Sequence, residues 1–307
     1  MTDQDRILNF IGIGAQKAGT TSLHSVFLNH PEIYVPVVEK EPHYFDDDAK
    51  YSNGFGDYIQ EYFAELTVER AVGEITPSLL AVPEARDRIA VTLGRDVKIL
   101  VMLRHPVRRA LSQYKMNLSW LREVESFEQA VSIEKVRDGS RMRFNYFGRG
   151  KYLDQLRHYL EVFERAQFHF ILFEELVEDH QRVLSRCFEF LGVSDLTVKE
   201  FPHTNSQKNT QLVRFDLPTA LKVNQNGREQ EVMMPAGSWL INSDFKGRIR
   251  LVKSPKPLIN DRLERIRGLL QQELPDRSRI QELYATHFER QEAELSDLTG
   301  LDLTKWH

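Results

Sequence analysis

One cysteine, Cys187, is all the thiol chemistry this sequence holds. A single thiol closes no disulfide within the chain, so the fold cannot rest on a cross-linked framework. Cys187 falls in the helical-looking stretch Glu174–Leu191, the setting of a buried structural thiol and not of a nucleophile. Long apolar runs are missing too, and no stretch approaches the ~18 residues that a membrane-spanning helix needs. The opening Met1–Arg6 has no basic n-region and leads into a short apolar run that Gln16 and Lys17 interrupt, which is not the pattern of a signal peptide. A cytoplasmic protein is the expectation. Positive charge is not in excess either: 41 Lys and Arg face 45 Asp and Glu, for a formal charge of −4. No global field favours nucleic acid, and any anion site must be local. Repeats, low-complexity tracts and linkers are absent as well, so residues 1–307, 41% hydrophobic, read as one large domain.

What is present is an alternation. Ile7–Gly14 (ILNFIGIG) is a short apolar run ending in glycine, and Thr20–Asn29 follows with helical spacing in Leu23, Val26, Phe27 and Leu28. Further apolar runs at Arg70–Glu74, Val97–Leu103 and Phe168–Phe173 are separated by helically periodic stretches. Continuous apolar strands alternating with amphipathic helices predict an α/β fold, with a P-loop-like central parallel sheet flanked by helices on both faces. Between Phe201 and Pro257 no long periodic segment is seen, and loops are expected, a lid or acceptor region at about 201–257. Ile259–Leu274 and Arg279–Leu298, split by Pro275-Asp276, read as closing helices.

The segment Gly14-Ala15-Gln16-Lys17-Ala18-Gly19-Thr20-Thr21-Ser22 sits where a nucleotide-binding α/β protein has its anion cradle, between first strand and first helix. Small residues let backbone N–H groups approach an anion, and the following helix N-terminus adds its dipole. The ordinary triphosphate loop is G-x-x-x-x-G-K-[ST]. Gly14 and Gly19 keep that spacing, but Thr20 stands in the lysine position and the lysine has moved back to Lys17. The strand Val97–Leu103 also ends in Leu103-Arg104, where a magnesium-holding acid is expected. A kinase or NTPase is disfavoured on both counts.

A second anion site follows that strand, in Arg104-His105-Pro106-Val107-Arg108-Arg109-Ala110-Leu111-Ser112-Gln113-Tyr114. Pro106 suits a first helical turn, so Arg104 lies at the carboxyl end of the strand, where α/β sheets bind ligands. Arg104 can grip a phosphate bidentately and Ser112, about two turns on, offers a hydroxyl. Arg108, Arg109 and Lys115 read as a solvated helix face.

QKAGTTS and LRHPVRRALSQY together resemble the pair of motifs by which the sulfotransferase family binds 3′-phosphoadenosine 5′-phosphosulfate (PAPS). The layout is nearest to heparan sulfate-type and related bacterial carbohydrate sulfotransferases, in patches from about Phe10 to Trp306, and weakest over Phe201–Pro257. The resemblance implies the sulfotransferase fold, PAPS as donor, adenosine 3′,5′-bisphosphate as product, and no metal. It assigns Lys17 to the bridging and sulfuryl oxygens, with Gln16, Ala18 and Gly19 completing the loop. Thr20, Thr21 and Ser22 fall to the 5′-phosphate, and Arg104 and Ser112 to the 3′-phosphate. Lys246-Gly247-Arg248 resembles a late loop that closes over the 3′-phosphate and adenine.

Sulfuryl transfer to a hydroxyl needs a base within hydrogen-bond reach of the acceptor oxygen. Glu41 and His43, in Lys40-Glu41-Pro42-His43-Tyr44-Phe45-Asp46, are the candidates. The segment resembles the heparan-type KExHFFD stretch, which carries the base role onto Glu41 and leaves His43 to orient the acceptor or assist. His105, beside the 3′-phosphate end, is the weaker base. Gly73-Glu74-Ile75-Thr76-Pro77-Ser78 resembles that family's EKTP segment, except that Ile75 replaces a pocket-facing lysine, so an acidic sugar is not implied. Expected acceptors are small molecules or glycans: a hydroxyl or amine of a carbohydrate, lipid or secondary metabolite. Tyr152, Trp120, Trp239 and Trp306 read as core or lid packing. The competing readings are a P-loop kinase or NTPase and a non-catalytic bisphosphonucleotide-binding protein.

Overall fold

The computed structural model describes residues 7–137, 142–202, 211–225, 228–243, 248–252 and 255–307. Its strands are β1 (Phe10–Gly14), β2 (Ile33–Tyr34), β3 (Ala71–Ile75), β4 (Lys98–Leu103), β5 (Phe168–Leu172), β6 (Gln211–Phe215), β7 (Thr219–Gln225), β8 (Arg228–Met234), β9 (Ser238–Ser243) and β10 (Arg248–Val252). The helices are α1 (Thr20–Phe27), α2 (Asp48–Ser52), α3 (Phe55–Tyr62), α4 (Pro83–Leu93), α5 (Pro106–Ser119), α6 (Phe127–Ser132), α7 (Tyr152–Leu160), α8 (Phe173–Glu178), α9 (His180–Leu191), α10 (Pro257–Gln271), α11 (Arg277–His287) and α12 (Glu292–Thr299). None of the described helices is long and apolar enough to cross a membrane. Two compact units divide the chain: one takes Met1–Leu111, Val136–Thr204 and Asp276–His307, the other Ser112–Lys135 and Asn205–Pro275.

The first unit holds a five-stranded sheet in the order β2-β3-β1-β4-β5. Every neighbouring pair is parallel. β1 and β3 are buried at each position and β4 at all but its first. Strands buried on alternate sides in this way need cover on both faces, which the flanking helices supply. After β1 the chain moves out to β2 and β3 on one side, then crosses back to β4 and β5 on the other. The carboxyl ends of β1 and β4 therefore flank the point where the strand order reverses, the place where an open α/β sheet forms its binding crevice. The sheet is tightest between β1 and β3: a Cβ on Gly73 would lie 2.2 Å from the Phe10 carbonyl oxygen, so only glycine fits. Cys187 is fully buried on α9, and burial pushes its thiol up to about 12, in keeping with a structural residue. The single long helix expected over Glu174–Leu191 is two. It breaks at Asp179, whose carboxylate accepts from the Arg182 N–H and caps α9.

The second unit contains a three-stranded sheet, β10-β9-β6, and the hairpin β7-β8, all antiparallel. Strands thus occupy much of the stretch in which loops were expected. The reason is visible in β6, where only Leu212 is buried: a strand that hides one residue in five shows no apolar run in its sequence. Trp239, fully buried, anchors this unit by donating from its indole N–H to Asn260 Oδ1 at 3.0 Å, with the Arg267 guanidinium 5.3 Å above its ring.

Candidate active site

The loop after β1 is built as a backbone cradle. Ala15 N–H donates to Met102 O on β4 at 2.6 Å, and Ala18 N–H to Ala15 O at 3.2 Å. Gly19, with φ 95°, ends the loop and leads into α1; a Cβ there would meet the Phe173 ring at 2.9 Å. Lys17 itself takes a left-handed backbone, φ 71°, which for a lysine costs on the order of 1 kcal/mol and marks a site where geometry outranks local comfort. Burial first, then the charges of Arg104 and Lys40, lowers its pKa to about 8, with Glu41 pulling the other way. Thr20 and Ser22 are buried on the first turn of α1, and Thr21 is half-buried.

Arg104 leaves the end of β4 and donates to the Lys17 carbonyl at 3.0 Å, so the two strand ends are tied together. Its guanidinium stacks 4.4 Å from the Phe173 ring centroid, and its Nε is buried with no hydrogen-bond partner. Burial lowers its pKa. Tyr152, buried at the start of α7, donates its hydroxyl to the Arg104 carbonyl at 2.9 Å. One carboxylate, Glu174, secures the next step of the backbone: it accepts from His105 N–H at 3.1 Å and from the Trp306 indole at 3.2 Å. His105 is buried, with its Nδ1 accepting from Val107 N–H at 3.2 Å, and burial drives its pKa down to about 3. A neutral imidazole spent on capping α5 is not available as a base. Ser112 is half-buried on α5, in the second compact unit.

The solvated-face reading of α5 holds for Arg108 and Lys115, which are exposed, and fails for Arg109, which is 0% exposed. Arg109 donates to the Tyr146 carbonyl and, at 3.4 Å, to the Gln16 carbonyl. A second buried arginine, Arg149, was not anticipated at all; it donates to Gln16 Oε1 at 2.5 Å.

Glu41 and His43 come together as the sequence segment suggested, and a second acid, Asp46, joins them. His43 Nδ1 lies 3.1 Å from both oxygens of Asp46, which also accepts from the Ser78 hydroxyl. The other ring nitrogen, Nε2, is 3.7 Å from Glu41 Oε2. The Asp46 hydrogen bond, against the cost of burial, raises the His43 pKa. Burial would raise Asp46, but the His43 hydrogen bond and charge outweigh it and hold the carboxyl below its usual range. Lys40 joins this cluster to the loop: its amine donates to Thr20 Oγ1 at 3.2 Å and to Glu41 Oε1 at 2.8 Å. Behind it, Glu74 is fully buried at the end of β3 and accepts from the Tyr58 hydroxyl at 2.9 Å. Burial pushes its pKa up to about 8 against the pull of Tyr58, with the charge of Asp46 adding to the rise.

Lys17, Arg104, Glu41 and His43 thus lie beyond the carboxyl ends of the sheet's strands, with Gln16, Ala18, Gly19, Thr20, Thr21 and Ser22. Lys246 and Gly247 lie outside the described residues, and Arg248 begins β10. Of the residues the sequence reading passed over, Asp46 had a readable signal, three positions after His43. Lys40 had one beside Glu41. Arg109 and Arg149 had none, because burial of an arginine depends on what packs over it.

A family model described as a sulfotransferase domain matches residues 9–239. The human heparan sulfate glucosamine 3-O-sulfotransferase 3B1 is 30% identical over 200 residues, 64% of this chain and 49% of that protein. The membrane-associated sulfotransferase kil1 of Dictyostelium discoideum is 25% identical over 279 residues, with coverage of 64% and 58%. Among solved structures, a sulfotransferase from Alicyclobacillus acidocaldarius matches with a TM-score of 0.56 and 33% identity, covering 66% of this chain and 86% of that one. The chain spans about half the length of the human relative it matches.

Proposed function

Because the chain belongs to the sulfotransferase family, we propose that it transfers a sulfuryl group from PAPS to a hydroxyl of a carbohydrate acceptor. The observation that carries this reading is a juxtaposition at the carboxyl ends of the sheet's strands. An anion cradle with Lys17 and Arg104 is joined through Lys40 to a carboxylate–imidazole–carboxylate cluster, Glu41, His43 and Asp46. The cradle fits a phosphosulfate: Gly19 leaves no room for a side chain and Arg104 Nε is buried without a partner. Lys17 and the loop N–H groups would hold the 5′ end of the donor, with Thr20, Thr21 and Ser22, and Arg104 the 3′-phosphate. When bound, the donor supplies an activated sulfur.

The protein's own contribution is a proton acceptor and fixed positive charge. Asp46 holds His43 by Nδ1, which leaves Nε2 turned toward Glu41, so a hydroxyl placed there can pass its proton to Glu41 with His43 as its orienting partner. Lys17 would offer its ammonium to the charge that gathers on the departing bridging oxygen. The names of the heparan sulfate relatives favour a sugar hydroxyl as acceptor.

Calorimetric titration with adenosine 3′,5′-bisphosphate, and separately with magnesium-ATP, tests the donor assignment. Tight binding of the bisphosphate that is weakened by Arg104→Ala is the expected result. Binding of magnesium-ATP alone would overturn the assignment and restore the kinase reading.

A further inference from the structure

Arg149 stands in the turn that precedes α7 and is 7% exposed. Among the described residues it donates a hydrogen bond from Nη1 to the side chain of Gln16, the residue before Lys17, while its Nε is buried with no partner. None of the described carboxylates forms an ion pair with it. Burial, then the like charge of Arg109, lowers its pKa to about 10, and the charges of Asp46 and Glu41 act in the opposite direction. A guanidinium taken out of water without a paired anion is costly, and such a group persists where an anion arrives to complete it.

The backbone of the turn that carries Arg149 is held in place. Gly150 N–H donates to the Phe147 carbonyl at 2.8 Å, and a Cβ on Gly150 would strike Pro106 at 2.9 Å and Phe288 at 3.1 Å. Arg109 fixes the Tyr146 carbonyl just upstream. This cation touches the loop after β1 at Gln16 and interacts electrostatically with the carboxylates of Asp46 and Glu41. The group that must lie between loop and carboxylates during the reaction is the sulfuryl group.

We propose that Arg149 is the binding residue for the sulfonate oxygens of the donor, holding them before and during transfer. The inference rests on the PAPS reading above. In the step it serves, the bond from sulfur to the bridging phosphate oxygen breaks and a bond from sulfur to the acceptor oxygen forms. The acceptor proton goes to the Glu41–His43 cluster, and Arg149 keeps its own. The guanidinium fork suits two sulfonate oxygens, which an ammonium cannot match.

PAPS and adenosine 3′,5′-bisphosphate differ only in the sulfuryl group, so the ratio of their affinities isolates this contact. Wild type, Arg149→Gln and Arg149→Lys are titrated with both, without acceptor. The expected result is that Arg149→Gln weakens PAPS about ten- to a hundredfold while bisphosphate binding stays within about twofold, with Arg149→Lys between the two. Unchanged bisphosphate binding also reports an intact fold. A PAPS to bisphosphate ratio that stays at the wild-type value in both variants would overturn the proposal and leave Arg149 a clamp on Gln16. Equal loss of both ligands would overturn it too, since the contact would then be to phosphate. If wild type bound neither ligand, the donor assignment itself would fall, and the role of Arg149 with it.

Discussion

Lys17, with its pKa near 8, lets the donor site be interrogated by pH alone. The shift is downward, so the ammonium is present below about pH 8 and lost as pH rises through it. At pH 7 about nine-tenths of the free protein carries the charge, and at pH 9 about one-tenth does. A bound phosphate beside the amine favours its charged form and returns the pKa toward the ordinary lysine range. Binding of adenosine 3′,5′-bisphosphate should then draw in about 0.9 proton at pH 9 and about 0.1 at pH 7, and the affinity should be about tenfold weaker at pH 9. Calorimetry in buffers of different ionisation enthalpy reads the proton uptake directly. Lys17→Met keeps much of the length and removes the titration, so its uptake at the two pH values should be the same. Equal uptake in wild type at pH 7 and pH 9, or a pH difference that survives in Lys17→Met, would refute the reasoning.

Three further outcomes are expected. Glu74 has its folded pKa raised from 4.5 to about 8, so the stability it supports is full below pH 4.5 and declines as pH rises toward 8. Glu74→Gln should therefore gain on wild type by about 2 to 3 kcal/mol between pH 5 and pH 7 in urea unfolding, and a gap that does not change with pH would contradict the buried neutral acid. Asp46→Asn removes the main cause of the raised His43 pKa; the His43 ring resonances should titrate lower than in wild type, and an unchanged or higher midpoint would show that Asp46 does not hold the imidazole. Gly73→Ala forces a methyl against the Phe10 carbonyl and should lower stability by about 2 kcal/mol or more, seen as a drop in Tm; a wild-type Tm would mean that β1 and β3 can move apart.

The sheet was legible because its main strands are apolar along most of their length, a consequence of burial on both faces. The loop between β1 and α1 was legible for a related reason: a glycine with positive φ, a displaced lysine and a threonine-rich helix start are local features, carried by neighbours in sequence. Arg109 was misread because its register on α5 fits either a wet or a dry face, and the decision is made by the Tyr146 carbonyl, 37 residues away. Arg149 is a similar case, fixed by Gln16 across 133 residues. The strands of the second unit hid for a different reason, their side chains being largely polar and exposed, as in β6.

Glu174 shares its two oxygens between His105, which starts the backbone after Arg104, and Trp306, which follows it by 132 residues. The anchoring of the anion-binding strand end is therefore finished only when the chain has been synthesised as far as Trp306. A ribosome-bound chain lacking that indole carries β1, β4 and both motifs but leaves one Glu174 oxygen without its donor. Loss of Trp306 thus reaches the strand end that carries Arg104 without altering any residue in it.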